Sequence, residues 1–219
     1  MINILCFGDS NTYGFVPFTG LRFDRNTRWT GVLQKLLGED YYVIEEGLNG
    51  RTTAYDDPID FEDMKNGRKY LPTAISTHIP LDLVIIMLGT NDTKYRFGAT
   101  SFDIAKALGK MAAMVRSMTA EKNFDGKPAK VLIVSPIRIG EGMRDASPFR
   151  EEFGGRSIGI AEELAGQIEL SCGPLEGVYT FDAKTAAEPS GDDDLHMDAE
   201  NHRRLAEALE KEIRRILAE

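Results

Sequence analysis

Residues 3–10 read NILCFGDS, a mainly apolar run that ends abruptly in glycine, aspartate and serine. A short run of this kind is typical of a buried strand, and the Gly-Asp-Ser that follows it is typical of a turn. Residues 82–88 and 130–135 contain similar runs, LVIIML and VLIV, without alternation of polar and apolar positions. Such strands are typical of a parallel sheet, because helices cover both of its faces.

Segments with helical spacing alternate with these strands. The last of them, residues 198–217, places its aliphatic side chains on one face, and Asp198 is a candidate cap for its first free N–H groups. This alternation predicts an α/β protein with helices on both sides of a parallel sheet, as a single domain over residues 1–219. The predicted strands are residues 3–7, 42–46, 82–88, 130–135 and 178–182, and the predicted helices are residues 29–37, 70–78, 103–118, 155–170 and 198–217.

The overall charge of the chain is acidic. Lys and Arg number 26 against 35 Asp and Glu, which gives a formal net charge of −9. Nucleic acids and anionic membranes select basic surfaces, so neither is expected as a partner. No apolar run approaches the ~18 residues needed to span a bilayer, and the first residues lack the basic start of a signal peptide. We therefore expect a cytoplasmic protein in which Cys6 and Cys172 are free thiols.

Reactive side chains follow the predicted strands. Ser10 comes directly after the first strand, and Asn91 follows the strand that begins near residue 82. Asp193 and His196 lie in the segment after the fifth strand. Since sites in open parallel sheets lie outside the carboxyl ends of the strands, these residue types should converge on one rim.

These residues match the requirements of nucleophilic catalysis. A serine hydroxyl needs a base within hydrogen-bond reach and a third group that orients the base, and Ser10, His196 and Asp193 are candidates for these parts. Donors must also face the oxyanion that develops during attack. Asn91 carries a side-chain N–H₂ group, and the backbone at Gly50 can approach a substrate closely.

Four blocks of the chain resemble the SGNH hydrolases, a branch of the GDSL esterases and lipases. Residues 7–11 (FGDSN) resemble the first block, residues 89–92 (GTND) the third, and residues 193–196 (DDLH) the last. The glycine block, within EGLNGRTT, is the loosest match. There Gly50 aligns better than its rival Gly47, because threonine follows Gly50 two residues later. The blocks stand in the family's order and span nearly the whole chain.

The resemblance implies a flavodoxin-like, three-layer α/β/α fold with a parallel five-stranded sheet. It also implies that Ser10 attacks an ester carbonyl, while His196, oriented by Asp193, removes the proton and later returns it to the leaving alcohol. The backbone N–H groups of Ser10 and Gly50 and the side chain of Asn91 would hold the oxyanion. The implied mechanism requires no cofactor and no metal.

The strings RWTGVL and LDLVIIMLGTNDTK resemble the arylesterase and acyltransferase branch of the family. That resemblance implies a small-molecule ester as substrate and assembly into a homo-oligomer. The candidate substrate contacts are Asn11, where the commoner family block has leucine, Thr93 and Leu195. A carbohydrate O-acetylesterase is the alternative within the family. A non-catalytic nucleotide- or flavin-binding module is the alternative from another class, although no glycine-rich phosphate motif occurs.

Three competing interpretations stay open at the level of sequence. Ser10 could simply cap the helix after the first strand. Asp192 and Asp194 compete with Asp193 for the role of orienting carboxylate. Ser157 lies in the string GRSIG, which fits the G-x-S-x-G elbow of α/β-hydrolases, but the charged residues before it do not form the required strand pattern.

Overall fold

Five parallel strands form the centre of the protein in a computed structural model, which describes residues 1–60 and 64–219. The strands are β1 (Ile2–Gly8), β2 (Tyr41–Gly47), β3 (Leu83–Met87), β4 (Lys130–Ser135) and β5 (Val178–Asp182). Their order is β2-β1-β3-β4-β5, and each neighbouring pair is parallel. The predicted parallel five-stranded sheet is therefore confirmed.

Helices pack on both faces of this sheet. They are α1 (Ser10–Tyr13), α2 (Trp29–Leu37), α3 (Gly67–His78), α4 (Ser101–Lys122), α5 (Arg150–Cys172) and α6 (Ala199–Ala218). Helices α2 and α6 share one apolar core with the sheet, and α3, α4 and α5 share the other. This confirms the three-layer α/β/α arrangement. Within the described ranges, no helix is long and apolar enough to cross a membrane.

The strands serve both cores because consecutive side chains of a strand point to opposite faces. In β1, Leu5 and Phe7 face the core beneath α3 and α4, while Ile4 and Cys6 face the core beneath α2 and α6. All four side chains are almost completely buried. Burial on both faces explains why these strands read as continuous apolar runs.

Two helices begin earlier than the apolar spacing predicts, because side chains cap their ends. The Asn66 side chain accepts a hydrogen bond from the Lys69 N–H at 3.3 Å, so α3 begins at Gly67 rather than at residue 70. A reciprocal capping box between Thr100 and Asp103 starts α4 at Ser101 instead of residue 103. Caps of this kind depend on single side chains rather than on periodicity.

Two other helix starts have different outcomes. The cap predicted at Asp198 is confirmed, since its carboxylate accepts from the Asn201 N–H at 2.8 Å. The fifth helix begins at Arg150, five residues before the predicted start at residue 155. A kink at Gly154, with φ of 56°, separates the additional turn from the rest of the helix. That additional turn carries side chains into the site described below.

Candidate active site

Three side chains form a hydrogen-bonded chain at the carboxyl edge of the sheet. His196 Nε2 lies 3.0 Å from Ser10 Oγ, and His196 Nδ1 lies 2.7 Å from Asp193 Oδ2. An ionised carboxylate can only accept hydrogen bonds, so Nδ1 carries the ring proton and Nε2 is free to accept the proton of Ser10. The three residues that sequence spacing singled out therefore meet in the order that proton transfer from Ser10 requires.

The Asp193 carboxylate is fully buried and surrounded by donors. Its Oδ1 accepts from the N–H groups of Leu195 at 3.0 Å and His196 at 2.9 Å, and its Oδ2 also accepts from Phe18 N–H at 3.3 Å. Burial opposes ionisation, but the His196 ring and these backbone donors outweigh it and lower the pKa of Asp193 below its ordinary value. Asp193 therefore stays a carboxylate that can orient and stabilise the imidazole.

The neighbouring aspartates face elsewhere. Asp192 accepts from the Ser190 hydroxyl at 3.0 Å. The side chain of Asp194 packs against the backbone at Gly140 and Gly142, and its own backbone is left-handed with φ of 61°. Asp193 is thus the member of the acidic run that contacts the imidazole among the residues described.

Ser10 lies at the junction between β1 and α1. The cap of α1 is Asp9, whose carboxylate accepts from the Asn11 N–H at 3.0 Å, so the capping role considered for Ser10 belongs to its neighbour. Ser10 is 7% exposed, and its side chain lines a cavity next to His196. The strand-to-helix junction thus places the hydroxyl at the edge of the sheet, where a substrate can reach it.

Three potential oxyanion donors border the same cavity, which is lined by Ser10, Gly50 and Asn91. Asn91 Nδ2 donates one hydrogen to Arg51 O at 3.2 Å, which leaves its second hydrogen for a ligand. In the described part of the chain, no acceptor is found for the backbone N–H groups of Ser10 and Gly50. Groups that are free to donate into a cavity are what a developing oxyanion requires.

The structure also decides between Gly50 and Gly47 as the glycine whose N–H group can face the oxyanion. Gly47 is the last residue of β2 and pairs with Gly8 of β1, so it belongs to the sheet. Gly50 lies in a turn closed by a bond from Arg51 N–H to Leu48 O at 3.2 Å. Its φ of 75° is the left-handed value that this turn position favours in glycine. Of the two, Gly50 is the one that lines the cavity.

The three predicted substrate contacts have different positions. Leu195 lines the cavity. The side-chain amide of Asn11 instead bonds to the segment that carries His196. It donates to Leu195 O at 3.2 Å and accepts from Met197 N–H at 3.0 Å. The Thr93 hydroxyl donates to Thr90 O at 2.7 Å and holds the turn that carries Asn91. Asn11 and Thr93 thus support the site from behind rather than line its cavity.

The cavity has a volume of about 150 Å³ and several aromatic walls. The ring of Phe15 stacks on the His196 ring with centroids 4.2 Å apart, and Phe149 meets the same ring edge-on at 5.5 Å. Phe153 also lines the cavity. No motif in the sequence links these rings, because Phe15 lies in the loop after α1 whereas Phe149 and Phe153 lie at the start of α5.

Part of the cavity lining is charged. Lys94 Nζ lies 3.2 Å from the Glu152 carboxylate and 5.5 Å from the centre of the Phe153 ring. Arg96 donates to both Asp57 and Glu152 at 2.9 Å. Lys94 is 7% exposed whereas the Glu152 side chain is 42% exposed, so the ion pair is buried at its lysine end and reaches solvent at its glutamate end.

The rival nucleophile and the other histidines lie outside this arrangement. Ser157 is fully buried inside α5, and its hydroxyl donates to Gly154 O at 2.7 Å. His78 pairs with Glu46 at 2.9 Å. His202 is buried, its Nδ1 accepts from the backbone N–H of Trp29 at 3.3 Å, and burial lowers its pKa to about 3. None of these side chains borders the cavity that contains Ser10.

Two buried carboxyl groups support the loops around the site. Asp92 accepts from the backbone N–H and the hydroxyl of Thr53, which ties the loop after β3 to the loop after β2. Burial raises the pKa of Asp92 to about 6 despite these bonds. Burial also raises the pKa of Asp9 to about 7, and the nearby charge of Asp92 adds to that shift.

The raised pKa of Asp9 predicts how stability depends on pH. The folded protein binds this proton more tightly than the unfolded chain does, so the stability contributed by Asp9 is lost as the pH rises through about 7. Asp9→Asn cannot ionise, and its amide oxygen can still accept from Asn11 N–H. We expect the variant to gain ~2 kcal/mol of stability relative to the wild type between pH 5 and pH 8.

Urea unfolding at the two pH values measures this difference. The exposed Asp40 provides a matched control, since Asp40→Asn should unfold in parallel with the wild type at both pH values. An Asp9→Asn variant whose stability relative to the wild type is the same at pH 5 and pH 8 would contradict the prediction.

Comparison with known proteins agrees with this geometry. The sequence profile of the GDSL-like lipase/acylhydrolase family matches residues 6–204. The inhibitor-bound aryl esterase of M. smegmatis is 41% identical, with a TM-score of 0.89 over 99% of this chain and 100% of that one. A carbohydrate acetylesterase from Sinorhizobium meliloti is 38% identical, with the same TM-score and the same coverage of both chains.

A more distant relative is considerably longer than this protein. An acetylxylan esterase of Xylanibacter ruminicola is 25% identical over 223 residues, a match that covers 95% of this chain. The chain spans only 42% of the length of that relative. Because the family profile covers most of the sequence, from before Ser10 to beyond His196, the chain belongs to the GDSL-like lipase/acylhydrolase family.

Proposed function

We propose that this protein is a serine esterase that removes small acyl groups from carboxylic esters through an acyl-enzyme on Ser10. The observation that carries the proposal is the hydrogen-bonded chain from Asp193 through His196 to Ser10 beside a cavity. Membership of an acylhydrolase family and the full-length likeness to an aryl esterase support it.

The geometry suggests how each half of the reaction proceeds. Ser10 Oγ attacks the ester carbonyl while His196 Nε2 takes its proton. The carbonyl oxygen becomes an oxyanion that can accept from the N–H groups of Ser10 and Gly50 and from Asn91 Nδ2. The protonated His196 then donates to the departing alcohol. In the second half, water or another alcohol attacks the acyl-enzyme while His196 takes its proton; the bond from the acyl carbon to Ser10 Oγ then breaks, His196 returns the proton to Oγ, and the acid or new ester leaves.

The size of the cavity favours short acyl groups. A dry cavity of ~150 Å³ is enough for one six-membered ring, and the cavity here has about that volume. Its walls include Phe15, Phe149 and Phe153, which would exclude a long flexible chain unless they moved. We therefore propose that acetyl and similarly small acyl esters are the substrates.

A carbohydrate O-acetylesterase is the second candidate. Asn49, Asp60, Lys94 and Glu152 give the same cavity a polar wall, which suits an alcohol rich in hydroxyl groups. The likeness to the S. meliloti carbohydrate acetylesterase supports this candidate as well. The two candidates share the chemistry and differ in the alcohol that leaves.

Turnover on three esters tests the proposal. We expect kcat/KM for 4-nitrophenyl acetate to exceed that for 4-nitrophenyl octanoate by at least ~10-fold, because a single methylene that does not fit a pocket costs about 1–3 kcal/mol. An acetylated xyloside tests the second candidate. A kcat/KM for the xyloside well above that for the aryl acetate would replace our first proposal, and comparable rates on acetate and octanoate would refute the small-acyl assignment.

We further propose a cytoplasmic location and assembly into a homo-oligomer. Cys6 and Cys172 are free and buried, as is usual for cysteines in a reducing compartment, and this supports the location. The resemblance of the sequence to the arylesterase and acyltransferase branch supports the assembly. Cell fractionation and light scattering of the purified protein would test the two statements separately.

A further inference from the structure

Arg51 directly follows Gly50 and is 2% exposed, and its guanidinium group donates to backbone carbonyls, with the charges of Glu46 and Asp9 nearby. Its Nη1 donates to Gly8 O at 2.9 Å and also to Glu46 O. The guanidinium carbon lies 4.1 Å from the centre of the Phe7 ring. Removing a charged guanidinium from water costs free energy. The contacts that Arg51 makes therefore call for a functional explanation.

The main chain of Arg51 contacts two further parts of the site. Its N–H closes the turn that contains Gly50, by donating to Leu48 O at 3.2 Å. Its carbonyl oxygen accepts from Asn91 Nδ2 at 3.2 Å, which orients that amide. One residue is therefore bonded to the Asn91 side chain, to the turn of Gly50 and to the end of the strand that leads into Ser10.

The side chain of Arg51 joins two strands where their pairing ends. The register of β1 and β2 stops at the pair Gly8 and Gly47, and the chains then diverge toward Ser10 and Gly50. Beyond that pair, Gly8 O accepts from Leu48 N–H at 3.1 Å and from Arg51. Both carbonyls accept from Nη1, whose two hydrogens lie in the guanidinium plane in a fixed geometry, whereas a lysine ammonium is a flexible point charge.

We propose that Arg51 is a positioning residue that fixes the positions of the three oxyanion donors relative to one another. These donors are the N–H groups of Ser10 and Gly50 and the side-chain amide of Asn91. This inference rests on the proposed esterase function. An oxyanion exists only near the transition state. Displaced donors therefore raise the activation barrier of the reaction without weakening the binding of substrate. Arg51 itself needs no contact with the ester.

Substitution of Arg51 tests the inference through the separate values of kcat and KM. For 4-nitrophenyl acetate we expect Arg51→Met to lower kcat by ~10–100-fold while KM changes less than about twofold, since one lost oxyanion donor alone costs ~10²–10³. The kcat of Arg51→Lys should lie between those of the wild type and Arg51→Met, because the lysine ammonium can restore a bond to one carbonyl. An aryl boronic acid, which forms a tetrahedral adduct on the serine, should lose affinity by the same factor as kcat.

Arg116 supplies the matched control. It donates to Ala129 O at 3.4 Å, at the amino-terminal edge of the sheet and away from the site. Arg116→Met should retain the wild-type kcat. The inference is overturned if Arg51→Met and Arg51→Lys keep kcat within twofold of the wild type, if KM rises instead, or if Arg116→Met loses as much activity.

The outcome for the wild type separates this inference from the proposed function. An active wild type with unaffected Arg51 variants overturns only the positioning role. A wild type that hydrolyses none of the esters overturns the proposed function, and the role of Arg51 falls with it. If Arg51→Met does not fold, Arg51→Lys decides by the same criterion: a kcat within twofold of the wild type overturns the inference.

Discussion

Ser10→Ala is expected to lower kcat on 4-nitrophenyl acetate by ~10⁴-fold or more, because no acyl-enzyme can form without the hydroxyl. The variant should fold normally, since among the described residues the Ser10 side chain hydrogen-bonds only to His196, and Asp9 caps the helix. Ser157→Ala is the matched control, because that serine is also buried but its hydroxyl donates to Gly154 O within α5. It should keep the wild-type rate.

A serine-directed phosphonate probe identifies the nucleophile independently of substrate choice. Peptide mass analysis should place the label on Ser10, and Ser10→Ala should take up none. A label on Ser157 would show that the G-x-S-x-G string is the functional motif. Unchanged ester hydrolysis by Ser10→Ala would likewise remove Ser10 from the mechanism.

Asp193→Asn is expected to lower kcat by ~10³–10⁴-fold while leaving KM nearly unchanged. An asparagine amide can donate to His196 Nδ1, which would stabilise the tautomer that carries its proton on Nε2. That tautomer cannot accept the proton of Ser10, although the ring still lies 3.0 Å from the hydroxyl. Asp192→Asn is the control, because that carboxylate bonds to Ser190 instead of the imidazole.

The pH profile of the wild type checks the same assignment. We expect kcat/KM to fall as the pH is lowered from 8 to 5, because a protonated imidazole cannot act as a base. Asp193 should not contribute to the fall, since its neighbours lower its pKa. A flat profile, or an Asp193→Asn variant with wild-type kcat, would exclude the proposed roles of this pair.

Much of the fold followed from local patterns in the chain. The central strands are buried on both faces, and this burial requires the continuous apolar runs from which they were predicted. The cap at Asp198 was likewise predicted, because it adjoins the helix that it caps. The starts of α3 and α4 were missed, since the caps Asn66 and Thr100 lie outside the apolar pattern.

No local pattern in the sequence predicted the residues that form the cavity walls. Phe15 lies in the loop after α1, Lys94 follows β3, and Glu152 lies in the first turn of α5. These residues meet only because the carboxyl ends of the strands meet. Asn11 is the opposite case. It lies beside the nucleophile in the sequence, but its side chain bonds with the segment that carries His196 instead of lining the cavity.

The loop that covers the triad depends on a distant ion cluster. Glu45 of β2 pairs with Arg25 at 3.2 Å and with Arg28, and it accepts from the Thr30 hydroxyl at 2.7 Å. These contacts anchor the end of the loop that carries Phe15 onto the imidazole. No spacing in the sequence links a strand glutamate to arginines some twenty residues away.

By itself, the sequence determined which residues can do the chemistry and on which edge of the sheet they meet. Ser10, Asp193 and His196 follow strands, and parallel strands bring their carboxyl ends to one rim. Only the tertiary structure decided between neighbours of the same type, such as Gly47 and Gly50, and revealed the walls that select a substrate. The physical reason is that strand and helix patterns reflect local burial, whereas hydrogen-bond direction and cavity shape arise from contacts between segments far apart in the chain.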